Sequence, residues 1–336
     1  MGHLSRSNRE TVPQPDWLDA RVKRTDTPHV AEADSLLDQS VKAFQAGDVE
    51  IAQQLAARAL SFYQEAGDRL GEGEALANLG SFYYGASNYQ AAASFAKQGL
   101  DIAVALGNLR LQVQTLATLG NAYRHLYDHE NAIRYAHQSL IVARELGDRR
   151  SEMASLNNLG LAYKALRKHA EAIEYERQSL EIARELGDIR VQGQILRNLG
   201  NAYYGLGDYA TAIVYYEQRL EIAKQECDYR SEIQILRNLG SACQTLGQYD
   251  KAIKYFRHRL VLAHAYEDHR AEEQTLSNLG VVYEAIGDYA GALDVYQKRL
   301  ALARKLQDAQ MEKQSRTSLK MTYQTLGDFI KAAEYS

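Results

Sequence analysis

The chain has 336 residues, 46% of them hydrophobic and 24% charged, with a formal net charge of -4 and a pI near 6.2. That is enough apolar material for more core than one ordinary compact domain builds, and the weakly acidic balance supplies no global basic field of the kind that nucleic acid or anionic membranes attract. No run of eighteen apolar residues occurs, the N-terminus lacks the apolar core of an export signal, and two cysteines, Cys227 and Cys243, make no disulfide framework, so a cytoplasmic setting without membrane insertion is expected.

In chain order, residues 1–29 hold all three prolines, Pro13, Pro15 and Pro28, in a stretch of Ser, Arg, Asp and Thr without apolar periodicity, which reads as a disordered leader. From Val30 onward the sequence repeats every forty residues and never slips register. A degenerate repeat spans 30–70, six full repeats span 71–310 and a partial one spans 311–336, together the expected solenoid of 30–336. Leu-Gly recurs from Leu79-Gly80 to Leu279-Gly280, followed by a Tyr column (Tyr83, Tyr123, Tyr163, Tyr203, Tyr283, with Cys243 in its place once) and an Ala column from Ala92 to Ala292.

Each repeat reads as two helices. Ile195, Leu196, Leu199, Ala202, Tyr203 and Leu206 form one apolar stripe at helical spacing, helix A. Gly207-Asp208 breaks it, and Asp208 is placed to cap a helix B that turns Ala212, Ile213, Tyr216, Leu220, Ile222 and Ala223 inward. Such a hairpin cannot bury its stripe alone and must stack on its neighbours. Gly160 and its equivalents each cost about 1 kcal/mol of helix propensity, so their recurrence implies a close approach of A to B.

The Leu-Gly, Tyr and Ala columns resemble the tetratricopeptide repeat in a forty-residue form, over roughly Val30 to Ser336. The flavour of Asn198-Leu199-Gly200-Asn201-Ala202-Tyr203 with Gln218-Arg219-Leu220-Glu221-Ile222-Ala223 is similar to Partner of Inscuteable scaffolds, kinesin light chains and bacterial Rap-type regulators. The resemblance implies an all-α fold, a right-handed α-solenoid of stacked helix hairpins with helix A lining the concave face. It also implies a protein or peptide partner. The C-terminal G-protein-binding motifs of the first group are absent from this sequence, so only the peptide-holding solenoid carries over.

On that face helix A of the fifth repeat presents Gln194, Arg197, Asn198, Asn201 and Tyr204, a polar stripe unlike the Lys and Glu pairs of a solvated surface. Asn recurs at Asn78, Asn158, Asn198, Asn238 and Asn278, and again at Asn121 and Asn201. An amide both donates and accepts, so an Asn ladder can pair with the backbone of an extended peptide, or else bridge adjacent A helices. Gln234 continues the Gln194 column, and Tyr84 with Tyr204 are the tyrosines directed at the groove. Arg124, Lys164, Arg197 and Arg237 give a basic centre between Glu74 and Glu284, suited to an acidic segment or a terminal carboxylate. Leu37, Val41 and Phe44 fall at groove-facing columns of the first repeat, which suggests a cover, the nearest being the leader around Trp17-Leu18. Arg219, Arg259 and Arg299 stand where Ser139 and Ser179 stand earlier and divide the array into halves, by packing or by binding.

No phosphate loop, nucleophile elbow or metalloprotease helix is present, and Gly71-Glu72-Gly73 lacks the context of a dinucleotide fingerprint. His125 and His129 lie one turn apart, but His129 and His169 occupy a Tyr column and read as packing. No catalytic residue, metal or cofactor is expected. The expected function is a scaffold that binds an extended or helical, acidic peptide in its groove. The alternative is a peptide-sensing domain or the targeting arm of a larger protein, and an uncapped apolar end after Asp328 suggests self-association or further sequence.

Overall fold

The computed structural model describes residues 28–336, and the leader with Trp17-Leu18 lies outside the described residues. Among the described residues there are sixteen helices and no strand. They fall into two compact units that divide after Asp188. The first holds α1 (Pro28–Ala46), α2 (Val49–Ala66), α3 (Arg69–Gly85), α4 (Tyr89–Ala105), α5 (Leu109–His125), α6 (His129–Leu146), α7 (Arg149–Ala165) and α8 (His169–Glu185). The second holds α9 (Ile189–Gly205), α10 (Tyr209–Gln225), α11 (Tyr229–Thr245), α12 (Tyr249–Ala265), α13 (His269–Ala285), α14 (Tyr289–Leu306), α15 (Ala309–Thr325) and the short α16 (Phe329–Ala333). Odd-numbered helices are A and even-numbered helices are B.

The helix starts follow from the Asp and Asn of the turns. Asp208 accepts the backbone N–H of Thr211 at 3.0 Å, and Asn88, Asn108, Asp128, Asp148, Asp228, Asp268, Asp288 and Asp308 cap their helices in the same way. At Asp128 the Asn131 side-chain amide, at 2.6 Å, and the Asn131 backbone N–H hold the carboxyl below the ordinary aspartate range. A carboxyl lowered by folding contributes stability at neutral pH that disappears as the pH falls through its folded value. Asp128→Asn keeps an acceptor that does not titrate, so its urea midpoint should decline less than the parent's between pH 5 and pH 3. The difference is expected to be a few tenths of a kcal/mol, because the group is only partly buried and solvent screens it. Equal slopes for the two proteins refute this.

Within each unit consecutive helices pack together, and the contacts that skip one helix join A helices: α1 to α3, α3 to α5, α5 to α7 and α11 to α13. Within the first unit α1, α3, α5 and α7 therefore lie side by side, as α11 and α13 do in the second, each backed by its B helices. The Leu, Tyr and Ala columns form the core, with Leu79, Leu119, Leu159, Leu199 and Leu239 at 1% exposure or less. Tyr from helix A stacks on an aromatic of helix B, as in Tyr123 on Tyr135 at 5.4 Å and Tyr203 on Tyr215 at 5.3 Å between centroids.

The glycine of each Leu-Gly pair faces helix B, but its neighbour differs between repeats. A Cβ on Gly120 would sit 3.5 Å or more from Ala132 and Ala136, whereas a Cβ on Gly200 would sit 2.5 Å from the ring of Tyr216. Gly240 and Gly280 meet Phe256 and Tyr296 similarly, and Gly160 meets the side chain of Glu176.

One reading of the sequence changes here, and one that the residues left open is decided. Leu37 and Val41 are not groove residues awaiting a cover: they are 1% and 8% exposed in the core of α1, α2 and α3, and Phe44 packs on Phe82 with its ring over Gly85. Arg219, Arg259 and Arg299 are 8%, 3% and 5% exposed and cross-link helices, so the column is packing. Ser139 and Ser179 occupy the same column in the first unit, where Ser139 pairs with Ser155 at 2.8 Å and Ser179 donates to the carbonyl of Met153 at 2.9 Å.

Candidate functional site

The residues singled out in the sequence divide between the two units. Asn78, Tyr84, Asn121, Arg124, Asn158 and Lys164 belong to the first, and all are half-buried. Gln194, Arg197, Asn198, Asn201, Tyr204, Gln234, Arg237, Asn238 and Asn278 belong to the second. The cations also differ in register. Arg124 and Lys164 stand five residues after the Leu of Leu-Gly and Arg197 and Arg237 two before it, so the basic column is two separate pairs, each within one unit.

In the first unit Asn78 accepts a hydrogen bond from Gln114 Nε2 at 3.2 Å, a bridge from α3 to α5. The hydroxyl of Tyr84 and Nη2 of Arg124 both reach Nε2 of His125, at 3.1 and 3.0 Å, and the His125 ring stacks on Tyr89 at 4.4 Å. His125 thus ties Tyr84 and Arg124 together, a role its sequence position did not indicate.

In the second unit Asn201 accepts from the hydroxyl of Tyr216 at 2.8 Å, and Asn198 is only 5% exposed. Burial pushes the Tyr216 phenol well above its usual range, so it stays a donor. Removing the acceptor leaves the buried hydroxyl's proton without Asn201, with the Asn238 amide as its remaining side-chain partner. Asn201→Ala should therefore cost about 1–3 kcal/mol in urea unfolding, whereas Asn121→Ala, opposite Ala136 rather than a tyrosine, should cost clearly less. Similar losses at both positions would show that the Asn201 contact carries no stability.

Gln194 and Arg197 are exposed, while Gln234, Arg237 and Asn238 are half-buried neighbours on α11. With its amide oriented to satisfy both ends, the Gln234 oxygen accepts from Nη2 of Arg237 at 2.5 Å. Arg237 and Asn278 meet Glu273, Gln274 and Ser277 around a pocket of about 280 Å³ between α11 and α13. Glu273, Gln274 and Ser277 were not selected from the sequence, although Gln274 extends the column of Gln114, Gln194 and Gln234 and could have been found by that signal. Behind them lies Arg259, lowered to about 10 by burial and by Arg237 beside it.

Burial pushes the Cys243 thiol up to about 11, which keeps it protonated, and the described residues contain no group of His, Cys, Asp and Glu arranged to hold a metal ion. No helix among them is long and apolar enough to cross a membrane.

A profile described as Tetratricopeptide repeat matches residues 111–185, 191–260 and 231–305, more than half of the sequence. The chain belongs to the tetratricopeptide repeat family. No curated protein sequence matches it. Among solved structures, this tetratricopeptide repeat chain is similar to a Signal Transduction ATPase with Numerous Domains from Pyrococcus horikoshii that has a tetratricopeptide repeat sensor, with a TM-score of 0.64 and 16% identity. That match covers 90% of this chain and 46% of the other, so the chain spans less than half of that protein. It is also similar to a Rap protein complexed with Competence and Sporulation Factor, at a TM-score of 0.50 and 16% identity over 91% of this chain and 96% of that one. A third is a Podospora anserina structure with nearly identical repeats, described as kinesin light chain, at 0.50 and 19% over 60% and 100%. At identities this low the structural likeness shows a shared helical solenoid fold and nothing further.

Proposed function

We propose that the chain is a cytoplasmic interaction scaffold that holds an extended or helical, acidic peptide segment of a partner protein against its A-helix layer, by binding and without catalysis. The observation that carries this reading is the half-buried Arg237 at the mouth of a polar pocket between two A helices, with a buried guanidinium behind it. Arginine grips carboxylates through paired hydrogen bonds, and the flanking amides of Gln234, Asn238 and Asn278 suit a peptide backbone. The Rap protein with its bound factor is a precedent for a ligand on a similar fold. Selection of a displayed random peptide library on the purified chain tests the reading. Enrichment of Asp- and Glu-rich peptides whose affinity falls with added salt is expected. A library that yields no binder, or only salt-insensitive apolar ones, overturns it.

A second reading, favoured by the similarity to an ATPase with a repeat sensor, is that the chain is the sensing or targeting segment of a larger protein. The coding frame around it decides: an adjoining effector domain supports this, and stop codons on both sides exclude it.

A further inference from the structure

The turns that join helix A to helix B follow one pattern in the second unit, where Leu206-Gly207-Asp208-Tyr209 recurs as Leu246-Gly247-Gln248-Tyr249 and Ile286-Gly287-Asp288-Tyr289. In the first unit two successive turns depart from it: Leu126-Tyr127-Asp128-His129 between α5 and α6, and Leu166-Arg167-Lys168-His169 between α7 and α8. Tyr127 and Arg167 take the left-handed conformation, with φ of 62° and 58°, where Gly207, Gly247 and Gly287 stand in the second unit. A β-carbon disfavours that conformation, most of all in a bulky residue. Lys168 is the only cation at a helix-B cap among the described residues, and it makes no side-chain cap bond. Helix α8 therefore lacks the acceptor that Asp128 and Asp208 supply to α6 and α10, and it carries a cation at the positive end of its dipole.

Each departure disfavours folding, and burial within the chain does not offset it. The Tyr127 ring is 84% exposed and meets the His129 ring edge-on, with centroids 6.3 Å apart. Arg167 and Lys168 are exposed, and Leu166 beside them is 40% exposed. Lys164, Arg167 and Lys168 fall within five residues, ahead of Glu171, the first acid of α8. Helix α5 packs on α7, and α6 packs on α7 as well, so the two turns share one edge of the first unit. Two adjacent turns thus give up local stability to display an aromatic ring, an aliphatic side chain and cations to solvent. Local rules are broken in this way chiefly where function keeps the strain. Tyrosine and arginine are also the side chains that dominate protein interfaces.

We propose that this turn edge is a second interaction surface, which docks a protein segment carrying carboxylates beside an apolar residue. The carboxylates meet Arg167 and Lys168, and the apolar side chain lies against Tyr127 and Leu166. An acidic protein fits the edge better than other polyanions do, because a chain of net charge -4 offers no wider basic field for a nucleic acid or an anionic membrane to follow. The surface belongs to the first unit and does not rest on the groove reading.

The test uses the full chain with isotope-labelled tyrosine rings and arginine side chains, so that the Tyr127 ring and the Arg167 Nε–Hε signals report the edge itself. The probe is acetyl-Glu-Glu-Phe-Glu-Glu-amide and the control is acetyl-Gln-Gln-Phe-Gln-Gln-amide. A short single-stranded RNA and phosphatidylserine vesicles stand for the other polyanions, all at matched ionic strength. Saturable shifts of both signals are expected with the acidic peptide and not with the control. Lys168→Asp, followed at the Tyr127 ring, and Tyr127→Gly, followed at Arg167, should each weaken the peptide about fivefold to tenfold. Both variants should also raise the urea midpoint, because the first restores a cap and the second relieves a left-handed turn. Stability gained as binding is lost is an outcome that a purely structural role does not produce. The proposal is overturned if the signals ignore the acidic peptide or follow the control equally, or if RNA or vesicles move them at lower concentration than the peptide does. It is likewise overturned if either variant binds as tightly as the parent, or if both midpoints fall, which would mean that these residues are kept for folding.

Discussion

Gly120→Ala should stabilise the protein and Gly200→Ala should destabilise it, although both glycines occupy the same position of the same motif. A Cβ at Gly120 meets nothing closer than 3.5 Å, so the change gains the helix propensity of alanine, about 1 kcal/mol. At Gly200 the new atom would lie 2.5 Å from Cε1 and 2.6 Å from Cδ1 of Tyr216. That ring is 2% exposed and its hydroxyl is bonded to Asn201, so it has no free direction in which to move. Overpacking of this kind costs about 1–3 kcal/mol. Urea unfolding of the two variants should move the midpoint in opposite directions, and shifts of the same sign would refute the assignment of the motif glycine to the Tyr216 contact.

The double variant Arg197→Glu, Arg237→Glu should lose at least about tenfold in affinity for an acidic peptide while helicity is kept. The two arginines stand at equivalent positions of α9 and α11, the A helices of successive repeats within one unit, and a single extended acidic segment can reach both. Loss of a charge partner at an interface costs about 2 kcal/mol or more, and reversal adds repulsion. The fold should tolerate the change. Arg197 is exposed and contributes within about 0.5 kcal/mol, and a glutamate at 237 lies beside the buried Arg259, whose charge has no carboxylate hydrogen-bonded to it. The measurement is anisotropy of a library-selected acidic peptide at low salt, where screening cannot hide the effect. Binding as tight as the parent's would show that the acid is recognised elsewhere.

The asparagine ladder illustrates how far a column can be read. Repetition of Asn78, Asn198 and Asn278 marks the inner layer, yet the same residue type is spent differently at each place. Asn78 bridges to Gln114, Asn201 satisfies a phenol, Asn198 is buried, and Asn278 lines an open pocket. An amide is versatile enough that its partner is set by whatever side chain the neighbouring helices bring to it.

What the sequence determined by itself was whatever depends on short chain separations: the forty-residue period, the two helices per repeat, the Asp208 type of cap three residues from its donor, and the Leu, Tyr and Ala columns of the core. Those follow from helix periodicity and from backbone groups that must be satisfied locally. Only the tertiary structure decided that Arg259 and Arg299 are internal, that Leu37 and Val41 are core, and that Arg124 and Lys164 fall in one unit and Arg197 and Arg237 in the other. In each case the deciding contact joins helices brought together by stacking, such as Arg259 to Ile233 and Gln274, and a long side chain at a given column can turn inward or outward according to the volume its neighbours leave.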